Sequence, residues 1–576
     1  MVELGYISVE EAETAFINFW PKFLQYISDI PPTATAFSNR VDRAPWFSEY
    51  IRRDLVKKYG QEMVYEKGLS VYTTLDINKQ QAGQEILRRA LVNQTKSSAS
   101  LSFRNEDYIT DNFADEISLI SDLFSVSLFS KKGSRENLKV NTLIRDSVME
   151  ELEAINYLVG ADNVSKFLDT YKKTYSDDKE LQNVEGCIIS IDHRTGYIEA
   201  MVGGSDFSSI NQLNRTMQSR RQPGSAIKPL LYAAAMESGK FTPASAVLDS
   251  PIVYLDNEGG DWIPENYDGE FYGLVRLRKA LALSINVISI RIADELGIDY
   301  VSRHYQKLLN IDKKRIKRDF SIALGSVEVS PYELTRAYAV IANGGQDVIP
   351  FSIRYIKDND DKTIENREEE VNKIIEKRKK EGTLQIIKSE TAQIMISILR
   401  SVISGGTGGA ANPGRTAAGK TGTTNNWKDA WFVGFVPQLT TGIWIGYDKL
   451  GLSLGINQSG GGVAAPVWGD YMSRALSKVD VIDFPVYAGL AEKKVCERSG
   501  MLPSSICRET LSEVFNPRYV PEKECDVCAS GDVRMNFSKK GPRENISQKQ
   551  KKNVIKSINR DNSDKIINDI GQELLR

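Results

Sequence analysis

The 576-residue sequence predicts an α+β fold, an antiparallel sheet flanked by helices. Three observations lead there. Cys187 to Ile191 and Tyr197 to Val202 are strand-like runs joined by the turn Thr195-Gly196, a β-hairpin signature. Ala430 to Val436 and Thr441 to Tyr447 read as a second pair of strands. Between the pairs, residues 206–346 are mostly helical, and a helix starting near Ser225 follows directly on the first hairpin, where it can pack on the sheet.

In chain order, Ile7 to Glu13 reads as a capped helix start, and Thr33 to Arg43 as an irregular connector. Ala44-Pro45-Trp46-Phe47 leads into a helix through about Tyr59. Leu69 to Asp76 is β-rich and is followed by a helix over Ile77 to Leu91. Residues 92–183 are polar with helical spacing, in Ile117, Ile120 and Phe124 and again in Val148, Leu152, Ile155 and Val159. They form a helical insertion or linker module without a catalytic constellation. Residues 357–382 are dense in charge and read as an exposed hairpin or helix. Residues 405–414 form a glycine-rich loop, residues 480–530 are loop-rich, and the basic tail from about Asn536 has a disordered composition.

Composition bounds the function. A hydrophobic fraction of 41%, a charged fraction of 26% and a net charge of −2 are those of a globular protein with no nucleic-acid footprint. No apolar run reaches about 18 residues, and Met1-Val2-Glu3-Leu4-Gly5 does not open a secretory signal. The two histidines, His193 and His304, lack a metal-ligand or triad pattern. Cys187, in a strand, is a buried small hydrophobe.

The chemistry centres on Ser225-Ala226-Ile227-Lys228. Pro223-Gly224 sets a sharp turn before Ser225, and Pro229 suits the first turn of a helix. Positions i and i+3 share a face, so Lys228 comes beside the Ser225 hydroxyl as its base. Alone the pattern is weak, since most such matches are a cap and a solvated lysine. Ser284-Ile285-Asn286 interrupts an apolar helical stretch, which marks a cap or turn, or two polar groups aimed into a cleft. Gly414 to Thr421 matches the phosphate-loop pattern G-x-x-x-x-G-K-[ST]. That reading needs a buried strand before the loop and a helix after it. Here a glycine-rich loop precedes it and a β-rich run follows. The alternative puts Lys420-Thr421-Gly422-Thr423 on a strand edge beside Ser225. Lys420 then offers charge, Thr421 and Thr423 offer hydroxyls to a carboxylate, and Gly422 lets a substrate backbone approach.

Ser-x-x-Lys, Ser-x-Asn and Lys-Thr-Gly in this order are motifs of penicillin-binding proteins and class A β-lactamases. With Arg221 to Ser225, Pro264 to Tyr267, Ala323 to Ser326, Gly419 to Thr424, Asp429 to Gly434 and Trp444 to Asp448, the chain resembles the transpeptidase portion of a class A (1A-type) penicillin-binding protein. The resemblance implies a penicillin-binding transpeptidase or serine β-lactamase-like fold. It implies catalytic Ser225, Lys228, Ser284, Asn286 and Lys420, substrate-binding Thr421, Gly422 and Thr423, and an oxyanion hole from the backbone N–H groups of Ser225 and Thr423.

The implied activity is peptidoglycan D,D-transpeptidation, with stem peptides, β-lactams and other wall-synthesis proteins as partners and no cofactor. A β-lactamase or penicilloyl sensor, for which Glu328 is a conceivable water-activating base, and an idle wall-assembly scaffold are the alternatives. The expected organisation is a linker remnant (1–63) after an absent glycosyltransferase domain, the start of an associated α/β region (64–91), the insertion (92–183), the transpeptidase domain (184–480), a cysteine-containing extension (481–530) and the tail (531–576). The location implied is extracytoplasmic, in the cell envelope, with an inner-membrane anchor that this chain lacks.

Cys496 and Cys507 have ten residues between them, Cys525 and Cys528 two. Four cysteines can bind zinc, remain thiols or form disulfides. The extracytoplasmic setting favours the disulfides Cys496–Cys507 and Cys525–Cys528 and no metal.

Overall fold

The computed structural model describes residues 8, 14, 42–101, 183–208, 211–255, 261–485 and 489–528. The expected helix start at Ile7 to Glu13, most of the 92–183 module and the basic tail lie outside the described residues. The chain divides into two units, 1–525 and 526–576. Of the second, only Asp526 to Cys528 are described, ending in a turn.

The first unit is built on a five-stranded antiparallel sheet. Its elements begin with α1 (Pro45–Tyr65), β1 (Ser70–Thr73), α2 (Ile77–Leu101), β2 (Glu185–Asp192) and β3 (Tyr197–Val202). Next come α3 (Lys228–Ser238), α4 (Leu277–Ala282), α5 (Asn286–Leu296), α6 (Ile298–Leu309) and α7 (Pro331–Ala342). Then follow β4 (Ile353–Lys357), β5 (Thr363–Asn366), α8 (Arg367–Lys380), α9 (Ser389–Gly405), β6 (Ala418–Thr423), β7 (Asp429–Val436) and β8 (Leu439–Gly446). The last are α10 (Ala464–Ala475) and the hairpin β9 (Ala491–Cys496) and β10 (Thr510–Phe515). The sheet order is β6-β7-β8-β2-β3, so the two expected strand pairs join through β8 and β2, with Thr441 opposite Ser190. A smaller sheet ties β1 to β4 and β5.

Successive strand residues point to opposite faces, and here both faces are covered. Along β7, Trp431, Val433 and Phe435 enter one core while Ala430, Phe432 and Val436 enter the other. Residues of α3, α7 and α9 pack into the first core, residues of α2 and α10 into the second. That explains why Ala430 to Val436 of β7 is an unbroken apolar run rather than an alternating one, while β8 buries Thr440 and Thr441 along with its apolar residues. Helix α7 begins with a capping box, Ser330 and Glu333, and comes close to the sheet at Gly442, where a methyl would sit 2.0 Å from Thr335 Oγ1. The charged stretch resolves into β5 and α8, and the loop-rich extension contains the β9–β10 hairpin. Among the described residues no helix is long and apolar enough to cross a membrane.

Candidate active site

The Ser225 segment departs from the simple helix expected. Gly224–Ile227 is a 3-10 turn, and the α-helix begins only at Lys228, with Pro229 in its first turn. In a 3-10 turn positions i and i+3 eclipse, which keeps Ser225 and Lys228 on one face. Gly224 has φ 51°, and a methyl there would lie 2.3 Å from Thr423 O. The turn therefore lies against β6, the edge strand of the sheet. Two buried donors hold it: Tyr338 Oη donates to Ala226 O at 2.6 Å, and Trp431 Nε1 donates to Gln222 O at 3.0 Å.

Two buried lysines converge on Ser284. Lys228 Nζ donates to Ser284 O at 2.7 Å, Ile285 O at 3.2 Å, Asn286 Oδ1 at 2.8 Å and, at the limit of a hydrogen bond, Ser284 Oγ at 3.5 Å. Lys420 Nζ donates to Ser284 Oγ at 3.0 Å and to Thr421 O and Oγ1 at 3.0 and 3.1 Å. Ser284 adopts a left-handed φ of 62° between α4 and α5, which is uncommon for serine and presents its hydroxyl between the two amines. No hydrogen bond runs from Lys228 to Ser225 Oγ, which is half-buried; such contacts often form only in a substrate complex.

Neither lysine has an ion-pair partner among the described residues. Burial and the nearby Lys420 charge hold the Lys228 pKa well below the usual lysine range. Burial alone brings Lys420 down to about 7. Two amines with lowered pKa values thus sit on either side of one hydroxyl.

Lys420 and Thr421 lie on β6, not in a loop that opens a helix, which removes the phosphate-loop reading. Thr421 Oγ1 also meets Thr407 Oγ1 at 2.7 Å, and Thr423 Oγ1 accepts from Gly460 N at 2.9 Å. Gly422 has a role that the sequence did not reveal. A methyl there would lie 2.3 Å from Pro223 O and 2.8 Å from Ala226 Cβ, so the backbone it admits is that of the Ser225 turn. Glu328 is exposed, and the helix start near it is capped by Ser330 instead. His193 is buried between Thr440 Oγ1 and Pro437 O, with its pKa pushed down to about 4 by burial. A cleft of about 830 Å³ lies at Asp42, Trp46, Arg88 and Arg474, and none of the site residues lines it.

Sequence reasoning missed Asn266. Its Oδ1 accepts from the backbone N–H groups of Asn286 and Val287 at 2.9 and 3.2 Å, capping α5 from a distant segment, while its Nδ2 donates to Asp249. Tyr267 beside it meets Trp427 edge-on, and Trp427 Nε1 donates to Tyr267 Oη at 2.6 Å, linking this loop to the one after β6. Pro264-Glu265-Asn266-Tyr267 stood out as a motif, but nothing local signalled a cap for a helix 20 residues away.

The cysteine region corrects one expectation. The structure contains neither expected disulfide. The sulfurs of Cys496, Cys507 and Cys525 lie within 4.8 Å of one another, three thiols meeting at one point rather than joining in pairs.

The fold is shared with known proteins. The crystal structure of penicillin-binding protein 1A from Haemophilus influenzae superposes with a TM-score of 0.65, covering 91% of this chain and 81% of that one at 24% identity, which shows the common fold. Residues 186–473 match the penicillin binding protein transpeptidase domain, and the chain belongs to that family. It is 33% identical to penicillin-binding protein 1A of Aquifex aeolicus over 483 residues, 82% of this chain and 60% of that protein. It is 34% identical to penicillin-binding protein 1A of Neisseria gonorrhoeae over 467 residues, 76% of this chain and 57% of that protein. The chain thus spans less than two thirds of the length of these relatives.

Proposed function

We propose that the chain carries a D,D-transpeptidase site that cross-links peptidoglycan stem peptides through a serine acyl-enzyme. Ser225 Oγ attacks the carbonyl between the two terminal D-alanines, the peptide C–N bond breaks, and D-alanine leaves as its amine. An amine of a neighbouring stem peptide then attacks the ester, forming the cross-link and freeing Ser225. Water in its place gives the carboxypeptidase reaction. β-Lactams acylate the same serine.

Each group has a role that its surroundings support. Lys228, its pKa lowered by burial and the nearby Lys420 charge, takes the Ser225 proton. Ser284, hydrogen-bonded to Lys420 and at the limit of reach of Lys228, relays a proton to the leaving amine. Asn286, bonded to Lys228 and to Glu265 O, orients the substrate amide. Lys420 in its charged form, with Thr421 and Thr423, receives the terminal carboxylate. The backbone N–H groups of Ser225 and Thr423, on segments that touch at Gly224, stabilise the oxyanion; losing one such donor typically costs about 10²–10³ in rate. The site faces the cell envelope, where stem peptides and other wall-synthesis proteins are its partners.

The convergence of two buried lysines on Ser284 carries this reading. A β-lactamase needs a carboxylate or other base to activate water, and among the described residues no carboxylate hydrogen-bonds to Lys228, Ser284 or Lys420. The test is D-alanine release from a stem pentapeptide, with dimer formation when an acceptor stem is added. Wild-type protein should release D-alanine and Ser225→Ala should not. Equal release by both proteins would overturn the assignment.

A further inference from the structure

The β9–β10 hairpin and its loops have little core of their own. Ala244, Val495 and Phe515 are its buried cluster, with Leu511 and Val520 partly buried against it. A module this small usually needs a covalent or metal staple. The cysteines sit where one would act. Cys496 ends β9, and its N–H donates to Met501 O at 2.8 Å across a turn closed by Gly500, φ 72°. Cys507 follows a turn in which its N–H donates to Ser504 O at 3.1 Å. Cys525 is tied to the first loop by its N–H donating to Leu502 O at 2.8 Å. Three separate segments are thus stitched so that their sulfurs meet within 4.8 Å, with Cys496 and Cys525 buried.

The backbone N–H groups of Arg498 and Ser499 are directed at the Cys496 sulfur. A disulfide uses sulfurs two at a time, at about 2.05 Å. A shared tetrahedral cation, with metal–sulfur bonds of about 2.3 Å, sets every pair of sulfurs at roughly 3.8 Å. The mutual approach of three sulfurs fits the second pattern. The sequence Cys525-Asp526-Val527-Cys528 supplies a fourth thiol at a spacing common in zinc sites.

We propose that Cys496, Cys507, Cys525 and Cys528 bind one zinc ion as thiolates in a structural site. Four sulfur ligands leave no open position, so the ion cross-links the hairpin loops and takes no part in acyl transfer. Its effect reaches the base of α4, the helix that ends just before Ser284. Arg276 Nε donates to Glu497 O at 2.7 Å, one residue from Cys496. Arg278 Nε donates to Glu513 on β10, also at 2.7 Å. Gly500 is seated so tightly on this face that a methyl there would lie 1.9 Å from Ala244 O.

The experiment uses the full chain, purified without chelator or added metal, in three measurements. Elemental analysis should find about one zinc per chain after gel filtration. Exchange of zinc for cobalt(II) should give thiolate-to-cobalt charge-transfer bands together with the visible bands of a tetrahedral ion. A strong chelator should lower the melting temperature. Cys507→Ser should reduce zinc retention, while Cys187→Ser should keep it. If Cys507→Ser fails to fold, the cobalt spectrum of the wild-type chain still decides. Four thiols that titrate in denaturant only after reduction, five titratable thiols with no metal, or iron in place of zinc would each overturn the proposal. None of these results bears on Ser225.

Discussion

Replacing Gly422 by alanine tests how the edge strand sets the nucleophile. The added methyl would start 2.3 Å from Pro223 O, a backbone atom that no rotamer change can move. Ordinary contact distance is about 3.5 Å, so the Pro223–Ala226 turn and β6 must part by roughly 1 Å. A displacement of about 1 Å at a catalytic group can cost on the order of 10²-fold in rate, or about 2.7 kcal/mol of activation free energy. The assay is the second-order rate of acylation by a fluorescent penicillin. Melting temperature is followed in parallel, and Gly405→Ala, which meets nothing within 4 Å, serves as the neutral control. Folded Gly422→Ala should acylate about 10²-fold more slowly than wild type. Acylation at the wild-type rate by a folded variant would refute the idea that this close approach positions Ser225.

Other perturbations separate the remaining roles. Lys228→Ala should abolish acylation with little change in circular dichroism, and a near wild-type rate would remove Lys228 as the base. Because the Lys228 pKa is depressed by burial and Lys420, the base is lost only as pH falls through that lowered value, so acylation should decline on the acid side. Lys420, near 7, loses its charge as pH rises, so KM for a penicillin carboxylate should climb above neutrality while that of its methyl ester stays flatter. Asn266→Ala removes the remote cap of α5 and should cost about 1–2 kcal/mol in denaturant unfolding. Tyr338→Phe leaves the buried Ala226 carbonyl without its hydroxyl donor and should destabilise by about 1–3 kcal/mol.

The strands were legible because apolar runs buried on both faces have few other readings. β3 was read residue for residue, and β7 and β8 to within two residues, as was the helix after Ser225 apart from its 3-10 opening. The sequence also brought Ser225, Lys228, Ser284, Asn286 and Lys420 into one constellation, and the structure brings both lysines, Ser284 and Asn286 into hydrogen-bond reach. What stayed hidden was long-range. The pairing of β8 with β2 joins segments some 250 residues apart, and nothing in either strand names its partner. Asn266 as a cap, Tyr338 as a carbonyl donor and Gly422 as a contact for the turn all depend on tertiary approach rather than on neighbours in sequence. The cysteines show the same limit: the extracytoplasmic setting favoured pairs, whereas the folded loops bring three sulfurs to one point.

The central claim is that Ser225 is the acylated nucleophile. The most direct measurement is peptide mass mapping of the chain after exposure to penicillin, with Ser225→Ala alongside. A penicilloyl mass on the peptide containing Ser225, slow to hydrolyse and missing from the variant, is the predicted result. An adduct elsewhere, or none on folded wild-type protein, would contradict it.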